Sequence, residues 1–199
     1  LLGRAAATGN PGARFHAARY AFREGSSAKE RSKASDTLRE LAESGLPEAQ
    51  LAYALAIESC PENCRGTTPS DALKWYRAAA ENGLPDAMCR LGVLLGQGVF
   101  GPADPDQAAE WYRKGAEAGE GNCQFFLGLI LLENAQTKAD ARDAVRWIRR
   151  AAEEGDIPGA WAMMSRIYTT GLGLYVNKKK AADCLKRAKA LGWEPDSES

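Results

Sequence analysis

The sequence repeats itself at an interval of 36 to 38 residues, and this period limits the folds that the chain can adopt. Glycines mark the period, at Gly9, Gly45, Gly83, Gly119, Gly155 and Gly192. A tryptophan precedes three of these glycines by eight residues, at Trp75, Trp111 and Trp147. Self-similarity of this length is typical of repeat proteins, in which each copy packs mainly against its neighbours.

Each copy contains an amphipathic segment before its glycine. The three clearest copies read DALKWYRAAAENG, DQAAEWYRKGAEAG and RDAVRWIRRAAEEG. In the first copy the apolar side chains share one face of a helix with 3.6 residues per turn: Ala72, Trp75, Tyr76, Ala79 and Ala80. Because the Trp-Tyr pair recurs at one helical position, both rings are predicted to lie in the core. The glycine then ends the helix, where a left-handed backbone is favoured.

A second helix follows each glycine, so the repeating unit is a pair of helices. First helices are predicted near 11–24, 47–59, 85–96, 121–134 and 158–170, and second helices near 32–44, 69–82, 105–118, 140–154 and 178–191. Thr68-Pro69 and Asp104-Pro105 are predicted to be an N-cap followed by proline at the first helical position. Small residues recur at one position of the first helices, at Ala54, Gly92 and Gly128, which indicates close approach of two helices.

These patterns predict an all-α fold: a right-handed superhelical solenoid of antiparallel helix pairs, with about eleven helices. We expect a single solenoid domain over residues 1–199. It comprises a leading half-repeat at 1–9, five repeats at 10–45, 46–83, 84–119, 120–155 and 156–192, and a C-terminal tail at 193–199. Because Leu1 and Leu2 occupy the Trp-Tyr position of a second helix, we expect the chain to be a fragment of a longer protein.

The charge balance excludes several classes of partner. The chain has 26 Lys and Arg against 26 Asp and Glu, so its formal net charge is zero. Nucleic-acid binding is driven by excess basic charge, and a polybasic membrane anchor also needs it. Charged residues interrupt every apolar stretch, so we expect no membrane insertion. The lysines at 178–180 are interpreted as a solvated start of the last helix.

The sequence contains no recognisable catalytic constellation, and we predict that the protein is not an enzyme. His16 is the only histidine, and no nucleophile or acid lies near it in the sequence. It is interpreted as a structural or exposed residue. The glycine-rich loops lack the pattern of a phosphate-binding loop and follow no strand. No cofactor is expected.

Five cysteines leave at least one thiol unpaired within the chain. Cys60 and Cys64 lie four residues apart in the loop of the longest repeat, where a disulfide could close an inserted loop. A disulfide there and two free thiols both remain open. Too few further ligands lie near this pair for a zinc site. The other three cysteines are interpreted as small buried apolar residues.

The period and the motifs A…LG…L/Y…G-x-G-V and D..KA..WY.KAAE.G make the chain resemble the Sel-1-like repeat family. Gly171-Leu172-Gly173-Leu174 fits the family's loop between helices, and Gly96-Gln97-Gly98-Val99 fits it loosely. The resemblance covers nearly the whole chain. It implies a relative of the tetratricopeptide solenoids and, by function, an adaptor for protein complexes, often in bacterial envelopes.

The resemblance also implies that partners bind on a concave face lined by the first helices. By the tetratricopeptide arrangement, an apolar floor and a mostly acidic margin are expected there, formed by Phe15, Arg19, Glu48, Leu51, Leu55, Glu58, Asp86, Val93, Phe125, Leu129 and Glu133. Such a face suits an amphipathic helix or extended peptide with basic residues. Alternatively, tight curvature buries this row between neighbouring first helices.

The predicted function is a non-catalytic interaction scaffold that binds a protein or peptide segment, as part of a larger protein associated with the bacterial envelope. One alternative is a regulatory module that restrains a signalling receptor or enzyme. The least favoured alternative is a cell-wall or lactam-acting hydrolase. The periplasm or cell envelope is the expected location, with the cytoplasm as the alternative.

Overall fold

The computed structural model describes residues 10–25 and 27–194, and within these ranges it contains α-helices but no strand. The described residues form ten α-helices: α1 Pro11–Glu24, α2 Ala28–Glu43, α3 Pro47–Ser59, α4 Asp71–Glu81, α5 Pro85–Gln97, α6 Pro105–Glu117, α7 Gly121–Glu133, α8 Lys138–Glu153, α9 Pro158–Thr170 and α10 Lys178–Ala190. A short 3₁₀ helix, Pro61–Asn63, interrupts the loop after α3. The all-α prediction is confirmed, and the predicted leading half-repeat at 1–9 lies outside the described residues.

The chain divides into two compact units, and the boundary along the sequence lies between Pro105 and Asp106. In the first unit α1 to α5 pack in chain order, each helix against the next. In the second unit α7, α8, α9 and α10 also pack in chain order. Turns of three or four residues join each second helix to the next first helix, so these neighbours are antiparallel.

Local sequence signals explain where most helices begin. Proline, which lacks an N–H and has a helical φ, is the first residue of five helices: α1, α3, α5, α6 and α9. Side-chain caps begin five helices, where Asn10, Ser27, Glu120, Thr137 and Asn177 each accept a hydrogen bond from a backbone N–H three residues later.

The predicted cap at Thr68 is wrong. The helix begins at Asp71, and Pro69 and Ser70 form a turn before it. An N-cap threonine would accept a hydrogen bond through its side chain, but here Thr68 is the donor. Its backbone N–H donates to the Asp71 carboxylate at 2.9 Å, and its hydroxyl donates to the same carboxylate at 2.8 Å. These bonds, with Lys74 nearby, lower the pKa of Asp71 to about 2. A carboxylate in the first turn also suits the helix dipole.

Four of the repeat glycines end a second helix as predicted. Gly45, Gly83, Gly119 and Gly192 have φ between 86° and 92°, a region that residues with a Cβ rarely adopt. The turn after α8 differs, because the left-handed residue is Asp156, at φ 49°, instead of Gly155. A Cβ on Gly155 would lie 2.8 Å from the Ala151 oxygen and 3.0 Å from the Gly121 Cα. The glycine is therefore needed there for close packing.

The second helices bury the predicted apolar face. In α4, Ala72, Tyr76, Ala79 and Ala80 are almost completely buried, and α8 buries Ala144, Val145, Ile148, Ala151 and Ala152 in the same way. Burial of this apolar surface is the main term that stabilises each pair.

The prediction for the Trp-Tyr pairs is right for tyrosine and only partly right for tryptophan. Tyr76 and Tyr112 are buried, whereas Trp75, Trp111 and Trp147 are half-buried. The Lys114 ammonium lies 4.2 Å from the centre of the Trp111 ring, and the Arg150 guanidinium carbon lies 5.8 Å from the Trp147 ring. A cation from the next helical turn thus lies over the ring of Trp111 and over that of Trp147.

Candidate partner-binding surface

The predicted binding residues of α3 share one face of that helix, because their spacings are three and four residues. Glu48 is exposed, Leu51 is half-buried, and Leu55 exposes 46% of its surface. Most of the neighbouring apolar side chains on α3, including Tyr53 and Ile57, are buried. The helix therefore buries its opposite face in the core and leaves Leu55 in contact with solvent.

In α1 two residues of the predicted binding row, Phe15 and Arg19, differ in their exposure to solvent. Phe15 is buried, so at this position the packed alternative fits better than an open floor. The ring packs beneath the guanidinium of Arg19, whose carbon lies 5.5 Å from the ring centre. Arg19 is exposed, as is the neighbouring Tyr20.

Glu58 is not free to meet a partner. Its carboxylate accepts a hydrogen bond from the Tyr76 hydroxyl of α4 and forms an ion pair with Arg90 of α5. Burial, and then the hydrogen bond to Glu58, raise the pKa of Tyr76. Although partial burial opposes it, contact with Glu58 raises the pKa of Arg90. Three consecutive helices of the first unit are thus joined through one carboxylate.

The α5 residues continue the pattern of α3. Asp86 is exposed and Val93 is half-buried. Cys89, at the position between them, is buried. Neither Asp86 nor Glu48 forms an ion pair with a described residue. Two free carboxylates therefore accompany the apolar residues of α3 and α5.

In the second unit the predicted row is more deeply packed. Phe125 and Leu129 are partly buried against the core formed by α8, α9 and α10. A Cβ on Gly159 would lie 3.2 Å from the Phe125 ring, so this ring rests on the first turn of α9. Glu133 is exposed at the end of α7. Here the geometry resembles the packed alternative more than the open one.

Cys60 and Cys64 are free thiols in this structure, and a disulfide between them stays a prediction. Cys64 points into the core of the first unit, where its sulfur accepts a hydrogen bond from the Ser35 hydroxyl at 3.1 Å. Cys60 is half-buried. Burial raises the pKa of the Cys64 thiol.

Sequence reasoning missed a buried glutamine that recurs in two repeats. Gln50 donates to the Ala42 carbonyl at 3.3 Å, and Gln124 donates to the Ala116 carbonyl at 3.4 Å. Each glutamine lies five residues after a repeat glycine, and each acceptor lies three residues before it. The sequence signal that could have revealed it is a glutamine at the same position of two copies. The hydrogen bond from this glutamine holds the turn between the two helices.

His16 is exposed on α1, with its ring 5.2 Å from that of Phe15.

Among the described helices, none has the length and apolar character that a membrane span requires.

Comparison with known proteins identifies related sequences. The family model described as Sel1 repeat matches residues 69–84, 85–120, 121–156 and 160–193. The uncharacterized protein NMB1327 of Neisseria meningitidis serogroup B is 36% identical over 97 residues, which are 48% of this chain and 19% of that protein. The chain thus spans less than two thirds of the length of this relative.

Solved structures show the same fold. A Sel1 repeat protein from Oxalobacter formigenes has a TM-score of 0.77 at 26% identity, over 92% of this chain and 74% of that one. The protective antigen c5321 of uropathogenic Escherichia coli strains, which displays an SLR fold, has a TM-score of 0.79 at 26% identity, over 94% of this chain and 39% of that one. A Sel1 repeat protein described as putative from Klebsiella pneumoniae, at 19% identity and a TM-score of 0.57, shares the fold over 96% of this chain and 91% of its own.

Proposed function

Because the chain belongs to the Sel1 repeat family, we propose that it is a non-catalytic scaffold that binds a segment of a partner protein on the first helices of its pairs. Sel1 repeats are generally protein–protein interaction scaffolds, and the family is generally non-catalytic. The repeated helix pairs hold their first helices in a fixed register, so one side chain position recurs along the row.

The observation that carries the proposal is the exposure of Leu55 one turn after the half-buried Leu51, with the unpaired carboxylate of Glu48 on the same face of α3. A single exposed leucine is ordinary on a protein surface, but neighbouring apolar side chains that meet solvent together support an interaction site. Glu48 and Asp86 would then favour a segment with basic residues and mainly increase its association rate. An amphipathic helix with lysine or arginine beside its apolar face meets both requirements. Location in the bacterial envelope stays a prediction.

The proposal is tested by capture of proteins from a native extract, with two variants of matched exposure. Leu55→Asp places a charge in the proposed surface, whereas Val99→Asp places the same charge at a residue of the same unit that is 49% exposed. A partner captured by the native protein should lose at least about tenfold in affinity for Leu55→Asp, because an aspartate would have to be desolvated at the interface. Val99→Asp should bind it normally.

Both variants are first compared with the native protein by circular dichroism and thermal melting. Leu55→Ser provides a second test, because it removes apolar area without adding a charge. If Leu55→Asp and Leu55→Ser fold and bind with unchanged affinity, the interface lies elsewhere. If both unfold, Leu55 belongs to the core and the proposed surface is wrong.

A further inference from the structure

The second unit contains a recess of about 650 Å³ that is separate from the α3 and α5 surface. Its walls are the end of α7 with the following loop, the first turns of α8, and the loop at residues 171–175 between α9 and α10. Leu132, Ala141 and Leu174 contribute apolar surface to it. A recess of this size can receive one or two large side chains.

The loop between α9 and α10 is held firmly against α8. Gly173 has φ 69°, and a Cβ added to it would lie 2.9 Å from the Ala141 oxygen, so only glycine permits this contact. At the end of the loop the Asn177 backbone N–H donates to the backbone carbonyl oxygen of Tyr168 at 2.8 Å. The Asn177 side chain accepts from the Lys180 N–H and caps α10. The loop is therefore anchored at its middle and at its end.

This anchored loop directs large apolar side chains toward solvent. Leu172 exposes 45% of its surface, Val176 58% and Tyr175 92%. Three such residues lie within five positions, and two of them, Leu172 and Tyr175, also line the recess. A cluster of exposed apolar side chains is typical of an interaction site.

The charged side chains that line the recess are both basic. Lys138 and Arg142 are the charged residues that line it, and no carboxylate lines it. Neither cation forms an ion pair with a described residue, in contrast to Arg146 and Arg150 of the same helix, which pair with Asp143 and Glu154.

The one carboxylate on the first turn of α8 is already engaged. Asp140 accepts hydrogen bonds from the backbone N–H groups of Thr137 and Gln136, at 2.9 and 3.1 Å. Lys178 and Lys179 follow the apolar loop, are exposed, and likewise form no ion pair within the described part of the chain. Two unpaired cations therefore line the apolar recess, and two more follow its loop in the sequence.

We propose that this recess binds an acidic segment of a partner protein. An aliphatic or aromatic side chain of that segment packs against Leu172 and Tyr175, and its carboxylates face Lys138 and Arg142. Arginine and lysine form charge-assisted hydrogen bonds with carboxylates, and the apolar anchor supplies the desolvated centre that such bonds need. This recess prefers an acidic segment, whereas the surface with Glu48 and Asp86 is expected to prefer a basic one. The two surfaces therefore bind different segments.

A peptide-display selection on the intact chain tests the proposal. The library carries random peptides, and we expect enrichment of sequences that combine aspartate or glutamate with a leucine, phenylalanine or tryptophan. Synthetic fluorescein-labelled copies of the enriched peptides then give dissociation constants by fluorescence anisotropy. Their affinity should fall as salt rises, because the exposed charges are screened.

Two double variants and two control variants locate the binding site. Lys138→Glu combined with Arg142→Glu should weaken the selected acidic peptides at least about tenfold, and so should Tyr175→Ser combined with Leu172→Ser. Lys186→Glu is the matched control, because Lys186 is an exposed lysine of α10 that does not line the recess. Leu55→Asp should also bind these peptides normally, which separates this result from the test of the α3 surface.

Several results would overturn the proposal. Selection that yields no acidic peptides counts against it, and so does unchanged binding by both recess variants when these keep native circular dichroism. The native protein is also tested on vesicles of phosphatidylserine and phosphatidylcholine. If it binds these vesicles through the same residues but binds no acidic peptide, the loop is a membrane-contacting edge instead.

Discussion

At the residue scale, positions that are equivalent in the repeat have different surroundings. Phe15 and Leu51 both lie six residues after a repeat glycine, yet Phe15 is buried and Leu51 is half-buried. Glu58 was predicted to meet solvent, but it joins Tyr76 to Arg90. The hydroxyl of Tyr76 is buried with its ring, so it needs the acceptor that Glu58 supplies.

Replacement of Glu58 tests the importance of this acceptor. Glu58→Ala should lower the free energy of unfolding by about 1–3 kcal/mol, because the buried Tyr76 hydroxyl loses its acceptor. Glu58→Gln should cost about 1 kcal/mol or less, because its amide oxygen still accepts from Tyr76. The lost ion pair contributes little, since the Arg90 side chain is 41% exposed. Urea unfolding measures both values.

Tyr76→Phe is the matched control, because it removes the donor and leaves no unsatisfied hydroxyl. Its cost should be smaller than that of Glu58→Ala. If Glu58→Gln is as destabilising as Glu58→Ala, the ion pair with Arg90 matters more than the hydrogen bond to Tyr76.

At the scale of elements, one glycine sets the distance between two helices. Gly128 of α7 faces α8, and a Cβ added to it would lie 2.6 Å from the Ile148 Cγ1. The same Cβ would lie 3.1 Å from the Ile148 nitrogen and 3.2 Å from the Ala144 oxygen. These backbone atoms cannot move without a shift of α8. The close approach inferred from small residues in the sequence is confirmed at this position.

We expect Gly128→Ala to lower the free energy of unfolding by about 1–2 kcal/mol. Alanine gains about 1 kcal/mol in helix propensity over glycine. Overpacking in a filled interface costs about 1–3 kcal/mol, and here the contacts include backbone, so the steric term is the larger. Thermal and urea unfolding of the variant measure the net effect.

A double-mutant cycle with Ile148→Ala isolates the steric contact. In that background Cγ1 is absent, so Gly128→Ala should cost less than it does in the native protein. A stabilised Gly128→Ala variant would show that the interface between α7 and α8 has room for a methyl group, contrary to the structure.

At the scale of the whole molecule, the five thiols report on both compact units. Four of them are buried, Cys64 and Cys89 in the first unit and Cys123 and Cys184 in the second, whereas Cys60 is half-buried. Burial raises the pKa of Cys64 and of Cys184, which further reduces the thiolate available for reaction.

Iodoacetamide labelling followed by peptide mass spectrometry should therefore modify Cys60 first in the native protein. The buried thiols should react only as urea unfolds the helices around them. Because Cys64 and Cys184 belong to different units, equal midpoints for their labelling would show that the two units unfold together. If Cys60 and Cys64 resist labelling in denaturant without a reductant, they form the predicted disulfide in the native material.

Much of the fold could be predicted because its determinants are local. The period of glycines, the apolar face of Ala72, Tyr76 and Ala79, and the prolines at helix starts depend on residues close together in the chain. The turn after α8 could not be placed correctly, because the left-handed residue there is set by the contact of Gly155 with Gly121 of another helix.

The sequence by itself determined the helix pairs, their number and order in the described residues, and membership in a class of repeat folds, because short-range periodicity encodes all three. Only the tertiary structure decided which side chains of the predicted binding row meet solvent. Exposure depends on what the surrounding side chains and helices place above a residue. Arg19 of the same helix lies over Phe15, Arg90 of another helix pairs with Glu58, and α9 packs against Phe125, whereas Leu55 stays open. The recess beside Tyr175 is likewise a product of packing, since it brings together the loop after α9 and the first turns of α8, which lie some thirty residues apart in the chain.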